Sequence, residues 1–304
     1  MLDPSFDSKR FIGRELGSVS LMRELGRGAN GAVFVGFQRT LQRQVAVKIL
    51  PKTGMASKAA SEQFRYEARL VAGLFHPNIV PIFEMGEEED CYFQVMQIVG
   101  GEDLEKRIKN RRKHPLPHRR LLPIATIIDT ISQIADGLGY AHAQQIVHQD
   151  IKPSNILIAQ DSGRPMIADF GIAKARFFEQ ALGEEQLVIG SPLYMAPEHA
   201  ANEETDHRAD IYSLGMALYQ MCVPQLPLAV FDPYEFVKIK VERPERLFTK
   251  RPRETSPLID AALESVICKA IEPSRDKRYD SCAALKSALA AYASERRAVE
   301  SRES

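Results

Sequence analysis

Residues 146–158 read IVHQDIKPSNILI, and this stretch decides how the chain is read. It sets a carboxylate, an ammonium and a carboxamide (Asp150, Lys152 and Asn155) in one short loop before the strand-like run Ile156, Leu157, Ile158. Three different polar groups packed this closely are hard to explain by folding alone. A carboxylate can accept a proton, an ammonium can offset developing negative charge, and an amide oxygen suits a hard cation. Fourteen residues beyond Asn155 stands Asp169-Phe170-Gly171, preceded by the apolar Met166-Ile167-Ala168. A second carboxylate is thus offered at a strand end.

Toward the N-terminus the pattern is β-rich. VSLMREL, GRGANG, AVFVGF and QVAVKIL, from Val19 to Leu50, read as strand, Gly-rich turn, strand, turn and strand. Gly26, Gly28 and Gly31 form a G-x-G-x-x-G, a weak signal alone. A dinucleotide-binding turn opens a helix, whereas AVFVGF continues as strand, so these glycines read as a β-turn covering phosphates or as an ordinary hairpin turn. Lys48 lies seventeen residues after Gly31, within the apolar Val45-Ala46-Val47 strand. Residues 57–75 switch to helical spacing, with Phe64, Ala68, Val71 and Phe75 on one stripe, Glu67 beside it and Ser57 as an N-cap candidate. Strands are expected near Ile79 to Glu84 and Tyr92 to Ile98, before Gly100-Gly101 breaks the pattern.

Beyond that glycine pair the signals are helical. Ile127, Ile131, Ile134, Leu138 and Ala141 recur every three to four residues after Pro123. Further helices are expected over 210–222, 257–271 and 281–293, with a charged, frayed tail after Ser294. The basic run KNRRKHPLPHRR, Lys109 to Arg120, reads first as a solvated loop between helices and second as a docking patch.

Composition narrows the class without naming it. Lys plus Arg and Asp plus Glu each total 40, so the overall charge points to neither nucleic acid nor an anionic membrane. The four cysteines form no C-x-x-C pair and read as reduced thiols. MLDPSFDSKR has no apolar core of a secretion signal, and no run of about eighteen apolar residues is seen, so a soluble, cytoplasmic protein is expected.

Taken together, VAVK, the Glu67 helix, HQDIKPSN, DFG and GSPLYMAPE (Gly190 to Glu198) occur in the order of a protein kinase domain, and the chain resembles the bacterial Hanks-type serine/threonine kinases. The resemblance implies an α+β, two-lobed fold. Its expected layout is an extension over 1–17, a β-rich lobe over 18–98, a mainly helical lobe over 99–293 and a tail over 294–304. It implies that Lys48, paired with Glu67, holds ATP phosphates beneath Gly26, Gly28 and Gly31. It also implies that Asp150 takes or orients the acceptor hydroxyl proton, that Lys152 steadies the transferring phosphoryl, and that Asn155 and Asp169 bind Mg2+, or Mn2+ in its place. Val33 and Ala46 would lie above adenine and Leu157 below it. Met96 would be the gatekeeper, Gln97 to Val99 the hinge and Asp103 the ribose contact. Val71, Ile82, His148 and Phe170 match the stacked residues that couple the lobes. Asp210 would support the catalytic loop and Glu198 would pair with Arg278. The implied partners are proteins bearing Ser or Thr acceptors, and the implied reaction is ATP-dependent phosphoryl transfer. A nucleotide-binding pseudokinase is the rival, disfavoured because the catalytic set is complete.

Two departures agree with each other. Gln149 stands where many family members have arginine before the catalytic aspartate, and residues 172–190 contain no Ser, Thr or Tyr. The expectation is activity without activation-loop phosphorylation, with Ser191 as part of the substrate-side wall.

Overall fold

The computed structural model describes residues 7–28, 31–52, 69–170 and 192–303. Glu67, Phe64, Ala68, Ser57 and Ser191 lie outside the described residues. The described chain forms two compact units, one up to Gly100 and one from Gly101 onward.

In the first unit, β1 (Glu15–Leu16), β2 (Val19–Gly28), β3 (Gly31–Gln38), β4 (Arg43–Pro51), β5 (Ile82–Glu87) and β6 (Cys91–Met96) form one sheet of order β1-β2-β3-β4-β6-β5. Every pairing in it is antiparallel. Facing residues repeat every second position, so the register sorts the side chains into two faces. Phe34, Val47 and Val95 align on one, with Ala32, Ile49 and Phe93 beside them, and all are buried in the core of this unit. Val33, Lys48 and Gln94 align on the other face, with Val35, Ala46 and Met96.

The segment before Val19, expected as an extension, contributes to this core. Phe11, in a 3₁₀ turn over Ser8–Phe11, is fully buried and joins the same cluster as Phe34 and Val47. Arg10 and Arg14 lie over its ring at 4.9 and 4.8 Å, and Arg14 grips both carboxylate oxygens of Asp90 at 2.9 and 3.2 Å. That guanidinium bond is the largest cause holding Asp90 below its ordinary carboxylate pKa. Ser18 Oγ donates to Glu84 at 2.7 Å and accepts from Gln38 at 3.0 Å, tying the start of β2 to β5.

One part of the helical stripe is corrected. Residues 69–72 are helical and Val71 is buried, but the helix stops at Gly73. Chain beyond that break no longer follows helical phase, so Leu74 is buried and Phe75 is 82% exposed.

In the second unit, β7 (Gly101–Asp103), β8 (Ile156–Ala159) and β9 (Pro165–Ile167) form a small antiparallel sheet. The helices are α1 (Leu104–Arg112), α2 (Ile124–Ala143), α3 (Pro197–Ala200), α4 (Arg208–Cys222), α5 (Pro233–Glu242), α6 (Ala261–Ala270) and α7 (Cys282–Glu303). Nearly every residue of α4 is buried, as expected of a helix apolar on all sides, and it packs against α2 and α6. Gly215 permits the closest approach: a Cβ there would meet Ala270 Cβ at 2.7 Å. The stretch Pro117–Ala143 is long and apolar enough to cross a membrane by length and composition, yet Ile127, Ile131, Ile134 and Leu138 are fully buried in the unit.

Two other expectations shift. Lys109 to Arg112 belong to α1, where cations favour the helix C-terminus, and Arg112 donates to the carbonyls of Gln220 and Val223. The tail continues α7 to Glu303 because its Ala, Glu and Arg residues favour helix.

Candidate active site

The face of the first unit that carries Lys48 is the one expected to meet nucleotide. Lys48 is buried on β4, opposite Val33 on β3 and Gln94 on β6. Ala46 and Met96 follow one pleat along, directly paired. The register therefore gathers four of the predicted nucleotide residues, Val33, Ala46, Lys48 and Met96, on one surface. Gly26 pairs with Val33 and Gly28 with Gly31, so the glycine motif closes a β2–β3 hairpin and opens no helix. Gly31 has φ +139°, and a Cβ there would fall 2.0 Å from Ile49 O, so a side chain is excluded. After β6 the strand pairing stops, and Gln97 N donates to Pro81 O at 3.0 Å at the head of the irregular 97–100 segment containing Val99.

The second unit holds the residues with chemistry. Its scaffold is Asp210, fully buried in the first turn of α4, where a negative charge also suits the helix N-terminus. Asp210 Oδ2 accepts from His148 N at 2.8 Å and bonds His142 Nε2 at 2.8 Å, while Oδ1 accepts from Gln149 N at 2.7 Å. Burial would raise its pKa, but the His142 hydrogen bond, the field of His142 and the His148 amide prevail and hold it below the ordinary carboxylate value. A single carboxylate thereby fixes the backbone just before Asp150.

His148 continues the frame. Asp150 N donates to its Nδ1 at 3.1 Å, so its other ring nitrogen carries the proton that reaches Ala168 O at 3.1 Å. The His148 ring lies 4.6 Å from that of Phe170. Ala168 N in turn donates to Asn155 O at 2.8 Å. The loop bearing Asp150 and Asn155 is thus bonded to the residue preceding Asp169.

Within this frame Lys152 Nζ lies 2.8 Å from Asp150 Oδ2, and Asn155 Nδ2 donates to Asp150 O at 2.9 Å and to Oδ2 at 3.1 Å. Two donors converge on Oδ2, which leaves Oδ1 to accept a proton from an incoming hydroxyl. With its NH2 committed to Asp150, Asn155 keeps its amide oxygen, a group able to take a hard cation. Gln149 and Asp169 have φ of +59° and +62°, a left-handed conformation costing about 1–2 kcal/mol for a residue with a Cβ. Both stand at the chemical residues, where backbone strain is commonly kept for function.

No group of three or more His, Cys, Asp or Glu side chains that could hold a metal occurs among the described residues. A site of Asn155 and Asp169 completed by phosphate oxygens and water still fits Mg2+, which takes few protein ligands and keeps its waters. Leu157 is half-buried on β8 opposite Asp103. Asp103 caps α1 by accepting from Lys106 N at 2.8 Å, and its other oxygen pairs with Lys106 Nζ at 2.9 Å. The expected Glu198–Arg278 pair is present, and its partner set is completed by Arg208 O, Glu272 O and Pro273 O. Sequence reasoning missed His142, which sits six positions before His148 on α2 with no local pattern to distinguish it from a solvent-facing histidine.

A carboxylate with an ammonium and an amide bonded to it on one loop, and a second carboxylate after β9 tied to that loop through Ala168, are groups that a phosphoryl-transfer centre can use. Residues 19–289 match the protein kinase domain family, and the chain belongs to it. It is 33% identical over 281 residues to the serine/threonine-protein kinase Pkn1 of Myxococcus xanthus, covering 91% of this chain and 38% of that protein. It is also 33% identical over 298 residues to the tyrosine-protein kinase MasK of the same species, covering 92% and 43%. The kinase domain of Mycobacterium tuberculosis PknI matches with a TM-score of 0.72 and 25% identity, over 93% of this chain and 98% of that one. The chain is thus a bacterial Hanks-type member with the protein kinase fold, and it spans less than half the length of the two curated relatives.

Proposed function

We propose that this chain transfers the γ-phosphoryl group of ATP to Ser and Thr hydroxyls of protein substrates. The observation that carries this reading is the convergence of Lys152 and Asn155 on Asp150, held in place through Asp210. Asp150 accepts the proton of the acceptor hydroxyl as its oxygen bonds to the γ-phosphorus and the bond to the bridging oxygen of ADP breaks. Lys152 offsets charge on the transferring group. Bound Mg2+, held by Asn155 and Asp169, would screen the phosphates. Lys48 with Glu67 would position those phosphates beneath the Gly26, Gly28 and Gly31 hairpin. Val33, Ala46, Met96, Gln97, Val99, Asp103 and Leu157 are the proposed nucleoside contacts.

The KPSN tetrapeptide favours Ser and Thr acceptors over Tyr. Activity without phosphorylation of the activation segment is the second part of the proposal. Its support is sequence alone: residues 172–190 offer no hydroxyl, and Gln149 supplies no cation to receive a phosphate. The test is incubation with labelled ATP, Mg2+ and a Ser, Thr and Tyr peptide library, comparing wild type with Asp150→Asn and Lys48→Met. Transfer to Ser or Thr by wild type alone is expected. ATP binding with no transfer by wild type would establish the pseudokinase instead, and label appearing only on Tyr would refute the acceptor class.

A further inference from the structure

The segment Pro192 to Met195, just before α3, has no regular secondary structure. Its carbonyl oxygens are nonetheless taken up one after another by two side chains. Lys240 Nζ donates to Pro192 O at 2.7 Å, to Leu193 O at 3.0 Å and to Met195 O at 2.7 Å. Ser213 Oγ lies 2.8 Å from Tyr194 O and 3.0 Å from Ala209 O, so its one proton is shared between the two carbonyls, Tyr194 O being the nearer. Four consecutive carbonyls are thus held from the interior by α5 and α4.

Lys240 is fully buried, which is rare for lysine and costly for an unpaired charge. An ammonium has three N–H donors, and here three carbonyls receive them. Two aromatic faces also suit a cation. The Tyr212 and Phe236 ring centroids lie 5.1 and 4.9 Å from Nζ, and Phe236 stands one helical turn before it on α5. Arg278 Cζ lies 5.0 Å from the Tyr212 ring centroid, so the aromatic ring contacts both cations. Burial and the Arg278 charge lower the pKa of Lys240 far below the ordinary lysine value, with Glu198 opposing. Neither simple core packing nor surface solubility accounts for a lysine placed this way, since an apolar residue would fill the space without desolvating a charge.

We propose that Lys240 is a positioning residue for the protein substrate. It acts as an internal three-point clamp that sets the backbone of Pro192 to Met195, the segment following Ser191, which the kinase reading puts in the wall that receives the acceptor peptide. The assignment rests on the kinase reading above and deepens it. The clamp acts through backbone carbonyls, so it shapes the peptide-receiving surface without dictating which side chains line it. Ser213 completes the clamp from α4, the helix that also carries Asp210. One core helix thereby orders both the Asp150 loop and the peptide-receiving segment.

The test uses Lys240→Met, which removes the three donors at similar volume, and Ser213→Ala, which removes only the fourth. Each is compared with wild type on a Ser/Thr peptide selected from a library by wild-type transfer. Lys240→Met is expected to lose about ten- to a hundredfold in kcat/KM for peptide, the range set by misplacing a reacting group by an ångström. KM for ATP should move by less than about twofold in the same protein. Hydrogen exchange over 192–200 should quicken while that of α2 stays slow. Ser213→Ala should show the same pattern at a smaller scale, and it carries the test should Lys240→Met fail to fold. Unchanged peptide kinetics in both folded variants would overturn the clamp, as would equal losses toward peptide and ATP, which mark a merely structural role. A wild type that transfers to no peptide would instead overturn the kinase reading, and the clamp with it.

Discussion

Arg278 and Glu198 form a two-pronged ion pair removed from water: Nη1 to Oε1 and Nη2 to Oε2 are each 2.7 Å, and the arginine side chain is fully buried. The guanidinium fork matches the carboxylate edge to edge, and its remaining donors go to backbone carbonyls. Removing one partner would leave the other charge buried and unpaired. Arg278→Met should therefore lower stability by about 3–5 kcal/mol. Paired with Glu198→Gln in a double-mutant cycle followed by denaturant unfolding, the double variant should be less destabilised than the two single losses summed. Additivity would show that the pair is not coupled.

Asp210 should control acid stability. Its folded pKa is depressed, so the unfolded state binds more protons in the window below the ordinary carboxylate value near 4. The stabilisation is present above that window and is lost as pH falls through the folded value. Asp210→Asn should remove this part of the acid limb. It should also lower stability at pH 7 by about 1–3 kcal/mol for each donor left unpaired, because an amide cannot accept from the His148 and Gln149 amides and His142 together. Thermal unfolding from pH 3 to 8 measures both effects.

Asp150→Asn should depress kcat by about 10²–10⁴-fold, the range for removing a general base, with ATP affinity little changed. The substitution also presents an NH2 to Lys152 and Asn155, which now donate to Oδ2. Steady-state transfer and nucleotide titration on the same protein separate the two quantities.

Gln149→Arg restores the cation that activation-segment phosphorylation would use. With no hydroxyl over 172–190, it should neither raise basal transfer by more than about twofold nor make activity sensitive to phosphatase. Transfer assays before and after phosphatase treatment, on wild type and variant, would refute the proposal if either lost activity through a site in this segment.

Phe11→Ala should destabilise the first unit by about 3–5 kcal/mol, the usual loss for a buried phenylalanine. The side chain is fully buried in the same cluster as Phe34 and Val47, and two arginines cover its ring. Denaturant unfolding, with exchange protection in β2 and β3 as the local readout, measures the loss.

The proposed catalytic groups are legible because they stand at short spacing: Asp150, Lys152 and Asn155 occupy one loop, and strand alternation alone places Ala46 and Lys48 on a common face. The Glu198–Arg278 pair was legible only through family resemblance, since eighty residues separate them. Other roles had no local signal. Phe11 falls in the expected extension and Phe75 on the expected stripe, while nothing in the sequence pattern singles out His142 or Lys240. Each depends on which distant backbone or ring lies opposite it. Short-range spacing determined which groups this protein brings together in the Asp150 loop. Tertiary packing alone decided that Phe11 closes a core, that His142 supports Asp210, and that Lys240 is drawn inside, because burial and hydrogen-bond partners are set by residues far apart in the chain.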